Sequence, residues 1–461
     1  MLFVLLLLVR LPFYLNGVIQ TMPELNYSLI GESLANGARL YITLWEDISP
    51  LSAWVFMILN YLFGNSIWPY HVLGFLLVFY QCVLINSITY RNKHFNEGTY
   101  VPSLIYGLLM SISFDMYALS PVIMSITFVL LALNNIYRQV EFRMKTDEPI
   151  LNIGIYLGLA TLFYLPSGVF ALIALITLIM FSSTIPRRYL LVLFGFTLPI
   201  LFIVAYYFAV DELHSAWSIF LSKFINPNRS SYISFQTLII LSAPVLLFLL
   251  IALIRVLQRS RYSNYQVRLI QLTVVWFFMT SILMIWTDIS MTAIILFVPG
   301  LTILLTHYFL LLKNSLKAEL MFSLAIIGIV FMNLISTFNW FGIERVVDLS
   351  GLVIDESKAL KEVQNKRLLV LGNDMELYQG SIQATPFFDW KISETILRNP
   401  DTYLNAMIIY DGFSKSPPEI IIDLENVLPA MQERVPFLRE NYNLKANNLY
   451  ELKADDVVPS N

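Results

Sequence analysis

Up to about residue 340 this sequence is a succession of long apolar runs, and no other feature so restricts what it can fold into. A membrane hydrocarbon core about 30 Å thick takes roughly 20 apolar residues per helical crossing, and every backbone polar group inside it must be paired within the span. By that rule about eleven spans lie near residues 1–19, 68–90, 100–117, 119–137, 150–165, 167–184, 189–210, 236–256, 268–286, 290–312 and 319–340. The sequence is 57% hydrophobic and 13% charged, against about 45–50% and 25% in soluble domains. The expectation is an α-helical polytopic membrane protein. Residues 50–64, PLSAWVFMILNYLFG, are too short to cross and read as an interfacial helix along the membrane surface.

The opening run, MLFVLLLLVRLPFYLNGVI, has no basic segment before its apolar core and no small-residue cleavage site after it, so it reads as a retained first helix. Arg10 falls inside it, where a charge costs about 3 kcal/mol on insertion scales. Two readings follow: Arg10 reaches a lipid headgroup, or it faces a polar cavity.

Orientation follows from the loops, because short cytoplasmic loops carry the excess of Lys and Arg. Arg91 and Lys93, then Arg138, Arg143 and Lys145, then Arg187 and Arg188, then Arg255, Arg259, Arg261 and Arg268, then Lys313 and Lys317 fall in alternate loops. The intervening loops hold only Arg39, Lys223 and Arg229. This predicts a cytoplasmic N-terminus, with residues 23–51, 211–235 and the C-terminal region on the outer side; the membrane expected is a bacterial plasma membrane, which makes that side periplasmic or extracytoplasmic.

Beyond about residue 341 charges become frequent and apolar runs shrink to strand length. KRLLVLGND and PPEIIIDLEN read as short buried strands ending in turns, DESKALKEVQ and LPAMQERVPFLREN as amphipathic helices. The domains expected are therefore a membrane domain over 1–340 and a small outer α/β soluble domain over 341–461. Gly372 follows a strand without a G-x-G-x-x-G pattern and reads as a plain turn. The net charge of -3 gives no basic excess for nucleic acid, and the single cysteine, Cys82, excludes an intramolecular disulfide or a cysteine metal site. The four histidines, His71, His94, His214 and His307, never fall four residues apart, which gives no support to a histidine-built zinc site.

The stretch PELNYSLIGESLANGARLYITLWEDISPL, residues 23–51, is the first that hydrophobicity does not explain, because it gathers three glutamates, an aspartate, an arginine and a tryptophan. Together with the preceding RLPFYLNG and the following LSAWVF and LFGNS, it resembles the first outer loop of the glycosyltransferase C superfamily. These are multi-span membrane enzymes that use polyprenyl-phosphate-linked sugars. The matches are Glu24 to the second acid of an acidic pair, Gly37 and Tyr41 to a turn, Pro50 and Leu51 to a proline element, and Phe63 and Gly64 to the end of an interfacial helix. Where the resemblance places the first, catalytic aspartate, this sequence has Pro23, which neither accepts a proton nor binds a cation. Either Glu24 or the Glu46–Asp47 pair takes over the chemistry, or the protein is a non-catalytic relative that binds lipid-linked glycan or partner proteins in an envelope assembly.

The resemblance implies transfer of a sugar from a polyprenyl-phosphate carrier to a glycan, lipid or protein acceptor. That reaction needs a carboxylate for the acceptor proton and positive charge for the departing phosphate. Glu24, Asp47, Glu46 and Glu32 are the candidate catalytic acids; Arg10, Arg39 and Arg229 are candidates for the phosphate, since arginine offers oxygens a planar fork. Glu32 lies eight residues after Glu24, so in a helix both share a face. Tyr41, Trp45 and His214 complete the candidate substrate-binding residues, and a divalent cation is a candidate partner of the acids. The plainer reading of each acid is a solvated surface charge, of Trp45 an interfacial anchor, and of Asp115 and Asp288 a helix cap.

Overall fold

The computed structural model describes residues 1–95, 97–142, 146–181, 185–221, 230–257, 264–312, 315–338, 346–355, 361–384, 386–446 and 448–453. In chain order its helices are α1 (Leu2–Leu15), α2 (Met22–Ala35), α3 (Pro50–Phe63), α4 (Trp68–Arg91), α5 (Val101–Leu109), α6 (Pro121–Phe142), α7 (Glu148–Phe163), α8 (Phe170–Phe181), α9 (Pro186–Ala209) and α10 (Leu213–Phe220). There follow α11 (Phe235–Leu257), α12 (Asn264–Leu283), α13 (Val298–Leu311), α14 (Ser315–Phe338), α15 (Trp390–Leu397), α16 (Tyr403–Lys415), α17 (Leu428–Arg434) and α18 (Pro436–Asn441). The chain forms two compact units. One comprises Met1–Ile19, Ile67–Tyr206 and Arg229–Leu352, the other Gln20–Ser66, Tyr207–Asn228 and Val353–Asn461.

The first unit is helical, and among the described residues seven helical segments are long and apolar enough to cross a membrane. They coincide with seven of the expected spans. The other four expected spans, 1–19, 100–117, 150–165 and 167–184, are realised as shorter apolar helices. The shortening at 100–117 has a local cause: α5 stops after Leu109, and a 3-10 turn over Phe114–Met116 follows. Hydropathy is blind to such a break, because it scores the apolarity of the residues whatever backbone form they take. Proline supplies several of the helix starts, at the first or second position of α4, α5, α7 and α13, where no N–H is needed.

Polar side chains fasten these helices where water cannot. Gln81 of α4 donates to the Ile123 carbonyl and the Thr127 hydroxyl of α6, each at 2.8 Å, and accepts the Tyr106 hydroxyl of α5 at 2.9 Å. Asn333 of α14 donates to the Ser111 carbonyl at 2.6 Å and contacts the Tyr117 hydroxyl. Gly154 and Gly158, four apart on α7, let that helix run against the backbone of α9 at Val192 and Phe196. This is the small-residue packing that brings helix backbones together in apolar surroundings.

The second unit holds a five-stranded mixed sheet, β1 (Arg367–Leu371), β2 (Ile382–Gln383), β3 (Ile420–Asp423), β4 (Tyr442–Ala446) and β5 (Leu449–Leu452), in the order β2-β1-β3-β5-β4. β1 pairs in parallel with β2 and β3, whereas β3, β5 and β4 are antiparallel. The strands expected from LLVL and IIID are β1 and β3, buried over almost their whole lengths. Leu369 and Leu371 of β1 and Ile421 of β3 form one core with Phe387, Trp390, Ile409, Phe413 and Leu428. Asp423 ends β3 and turns its buried carboxylate onto the N–H groups of Val427 (3.1 Å) and Leu428 (2.8 Å), which starts α17. The helix expected over LPAMQERVPFLREN is two, α17 and α18, because Pro436 lacks the N–H a continuous helix needs. Within this unit α2 and α3 pack together, with the Tyr27 and Phe56 rings stacked at 4.7 Å.

Candidate functional site

The segment 20–49 carries most of the candidate residues. α2 begins at Thr21, whose hydroxyl accepts the Glu24 N–H at 3.4 Å, and Thr21-Met-Pro-Glu24 has the T-x-x-E spacing of a capping box. Pro23 sits in the first turn, a position suited to proline. Glu24 is 4% exposed and lies in the first turn of the helix. Glu32, two turns on, is half-buried and accepts a hydrogen bond from Asn65 at 3.2 Å. Burial pushes its carboxyl above the usual range, and the Asn65 bond opposes that rise.

Past α2 the chain reverses. Gly37 (φ 95°) and Tyr41 (φ 64°) both take the left-handed conformation, free for glycine and costing a tyrosine about 1–3 kcal/mol. The cost is offset by fixed contacts: the Tyr41 N–H donates to the Leu44 carbonyl at 2.8 Å, and its buried hydroxyl to the Ile48 carbonyl at 2.5 Å. Burial first, then the charges of Tyr207, Asp47 and Glu46, hold the phenol well above its ordinary pKa. Tyr41 is thereby a structural pin of the turn rather than an acid.

The next residues run alongside a C-terminal segment. The Trp45 N–H donates to the Pro386 carbonyl at 2.9 Å, and the Asp389 N–H to the Trp45 carbonyl at 3.3 Å. The Trp45 ring meets Phe387 edge-on at 5.3 Å. This pairing gathers Glu46, Asp47 and Asp389, from each of which one carboxylate oxygen lies within 4.8 Å of the others. Glu46 is buried, Asp47 and Asp389 partly so, and Asn26 of α2 donates to Glu46 at 3.5 Å. These three are the described residues whose oxygens are spaced to share a hard cation. Sequence reasoning missed Asp389: its only local signature is that of a helix cap, a role it also fills by accepting the Lys391 N–H at 2.9 Å.

Beside the same segment lies a cavity of 640 Å³ within the second unit, lined by Glu32, Arg39 and Trp45 among the expected residues. Glu212, Gln383, Asp411 and Lys415 join them, and none was singled out in the sequence. Asp411 and Lys415 are paired at 3.3 Å, whereas Arg39 is exposed and makes no ion pair among the described residues. Ser33 of α2 hydrogen-bonds the Gln383 amide of β2 across the wall. Such a lining offers hydroxyls, amides, both signs of charge and an indole, at a size typical of small-molecule sites, about 300–1,000 Å³.

The remaining candidates are not part of this group. His214 is exposed on α10, next to the lining residues Glu212 and Ser215. Arg229 lies outside the described residues. Arg10 belongs to the first unit and is fully buried there, donating to the Met110 carbonyl at 3.0 Å and the Ser111 hydroxyl at 3.4 Å, with its guanidinium 4.4 Å from the Tyr117 ring centre. Asp115 accepts the N–H of Met291, the first residue of the 3-10 stretch Met291–Phe297, at 3.0 Å, whereas Asp288 accepts the N–H of Ser230, which is not at a helix start, at 2.8 Å.

No protein-family model and no curated protein matches this sequence. Solved structures do. Crystal structures of ArnT from Cupriavidus metallidurans match it over 99% of this chain and 99% of theirs, with a TM-score of 0.56 and 13% identity for the apo state. The values are 0.55 and 12% for ArnT bound to undecaprenyl phosphate, over the same shares. This chain has the fold of ArnT. The resemblance read from residues 23–51 to the glycosyltransferase C superfamily is borne out at the level of the fold, for ArnT is a polyprenyl-phosphate-sugar glycosyltransferase of that superfamily. The helical membrane body and the mixed-sheet C-terminal region described above are the parts of that fold.

Proposed function

We propose that this protein is a membrane glycosyltransferase that takes a sugar from a polyprenyl-phosphate carrier and passes it to a glycan, lipid or protein acceptor at the outer face of the membrane. The observation that carries the reading is the end-to-end likeness to ArnT, one of whose structures holds undecaprenyl phosphate. In such a transfer the bond from the sugar's anomeric carbon to the carrier phosphate breaks, and a bond from that carbon to an acceptor oxygen or nitrogen forms. The acceptor loses a proton to a base, and the carrier leaves as a phosphate whose growing charge must be met.

Glu24, buried at the head of α2, and Asp47, beside Glu46 and Asp389, are the bases we assign. Arg39 is the cation we assign from the second unit, with Arg10 and Arg229 the other guanidinium candidates. The 640 Å³ cavity suits the sugar portion of an acceptor, because its amides, hydroxyls and indole match what sugars present. If a divalent cation binds, Glu46, Asp47 and Asp389 are the residues to hold it, and it would supply positive charge next to the loop.

The test is transfer from a panel of labelled polyprenyl-phosphate sugars in membranes carrying wild type, Glu24→Gln, Glu32→Gln, Glu46→Gln or Asp47→Asn, with abundance measured alongside. Removal of the base should cost on the order of 10²–10⁴-fold in rate at one or two of these positions with abundance unchanged. Wild type without transfer from any donor, or full transfer by every variant, overturns the proposal. Pro23, standing where the resemblance places a catalytic aspartate, favours a second reading: a non-catalytic relative that binds the lipid-linked glycan. That reading predicts donor binding without turnover.

A further inference from the structure

The loop joining α4 to α5 carries a site with no part in the chemistry above. Its residues alternate in burial: Arg91 and Lys93 are exposed, while Asn92 and His94 are fully buried. The buried pair anchors it. The Asn92 side-chain amide donates to the Ile88 carbonyl at 2.9 Å and to Asn134 of α6 at 3.0 Å, and the Asn92 backbone carbonyl accepts the Tyr265 hydroxyl of α12 at 2.8 Å. Lys93 takes a left-handed conformation (φ 49°), closed by N–H bonds from Lys93 to Tyr90 and from His94 to Thr89. The two cations are thus fixed outward by a rigid turn rather than carried on a loose one.

They line a cavity of 630 Å³ in the first unit, together with Glu97 and with Tyr265 and Gln266 from the first turn of α12. Two cations against one acid leave a formal charge of +1, and the first-turn N–H groups of a 20-residue helix add partial positive charge. Neither Arg91 nor Lys93 makes an ion pair among the described residues. Alongside, α4 exposes Leu76, Tyr80, Val83 and Tyr90, which share one helix face and lead along the candidate span away from the cavity. Tyr90, which lines the cavity, stands 69% exposed, and Tyr100, next in sequence to the lining residue Thr99, stands 81% exposed, as aromatic residues do at membrane interfaces.

We propose that this cavity holds the phosphodiester headgroup of an anionic membrane lipid, with Arg91 and Lys93 on the phosphate and the Leu76–Tyr90 face beneath an acyl chain. A free phosphate shares the headgroup chemistry but has no use for the apolar face, which is why the lipid is preferred. In the orientation read from the loop charges, the site lies in the cytoplasmic leaflet.

The test is native mass spectrometry of the full-length protein in detergent, titrated separately with phosphatidylglycerol, phosphatidylcholine and inorganic phosphate. Phosphatidylglycerol should bind more tightly than phosphatidylcholine. Each cation near a membrane surface is worth roughly fivefold in affinity, so Arg91→Gln and Lys93→Gln should each weaken binding about fivefold and the double variant about twenty-fivefold. The exchange Arg91→Lys with Lys93→Arg should keep most of it, and Arg187→Gln, at another exposed arginine, should change nothing. Equal binding of the two lipids, no loss in the double variant, an equal loss in Arg187→Gln, or inorganic phosphate binding in place of the lipid would each overturn the proposal.

Discussion

Replacing Gly31 by alanine sets two opposed effects against each other. Gly31 lies in α2 between Glu24 and Glu32, and a Cβ added there would stand 2.6 Å from the Phe56 carbonyl oxygen and 2.9 Å from its carbon, both backbone atoms of α3. Alanine is worth about 1 kcal/mol over glycine in a helix interior, so propensity alone predicts a gain. Overpacking costs about 1–3 kcal/mol, and neither backbone atom can rotate aside, so α2 and α3 must move apart and the cost falls at the upper end. The net expectation is a loss of about 2 kcal/mol. At about 2–4 °C per kcal/mol for a body of this size, the second unit should melt about 4–8 °C lower. Tryptophan fluorescence during heating of the detergent-solubilised protein reads this, since Trp45, Trp54 and Trp390 all belong to that unit. A Gly31→Ala protein melting at or above wild type would mean that the helices do not approach so closely, and the packing argument would fail.

Asp423→Ala strands the buried N–H groups of Val427 and Leu428 and should cost about 2–4 kcal/mol, read as a lower melting temperature, with Asp423→Asn intermediate. Asn65→Leu removes the hydrogen bond that holds down the Glu32 carboxyl, so its titration should move further up, measurable with ¹³C-carboxyl-labelled glutamate. The sign for stability follows: a carboxyl raised by burial favours the folded state below its unfolded pKa, and that advantage is lost as pH rises through the folded value. Stability of the Asn65→Leu protein should therefore fall more steeply than wild type across that window; identical profiles would refute the assignment.

What could be read from the sequence was what local chemistry writes there. Long apolar runs mark α4, α6, α9, α11, α12, α13 and α14, and the runs LLVL and IIID mark β1 and β3. Glu46 and Asp47 were legible as acids in a loop with a recognisable turn. Asp389 was not, because it meets them only through backbone pairing of Trp45 with a segment far along the chain. The same holds for the wall of the larger cavity, where Gln383, Asp411 and Lys415 look like ordinary polar residues until the fold sets them beside Arg39 and Trp45. The 3-10 stretches at Phe114–Met116 and Met291–Phe297 were invisible for a different reason: they fall within apolar runs, and apolarity does not report the backbone form.

The bond from Ser33 to Gln383 joins positions 350 residues apart. During synthesis α2 and the turn after it emerge early, yet the partners that hold them are among the last to leave the ribosome. A nascent chain must therefore keep the segment 20–49 provisional through the insertion of every later helix. A product cut short before β2 would embed its apolar body and still lack the wall against which that segment closes.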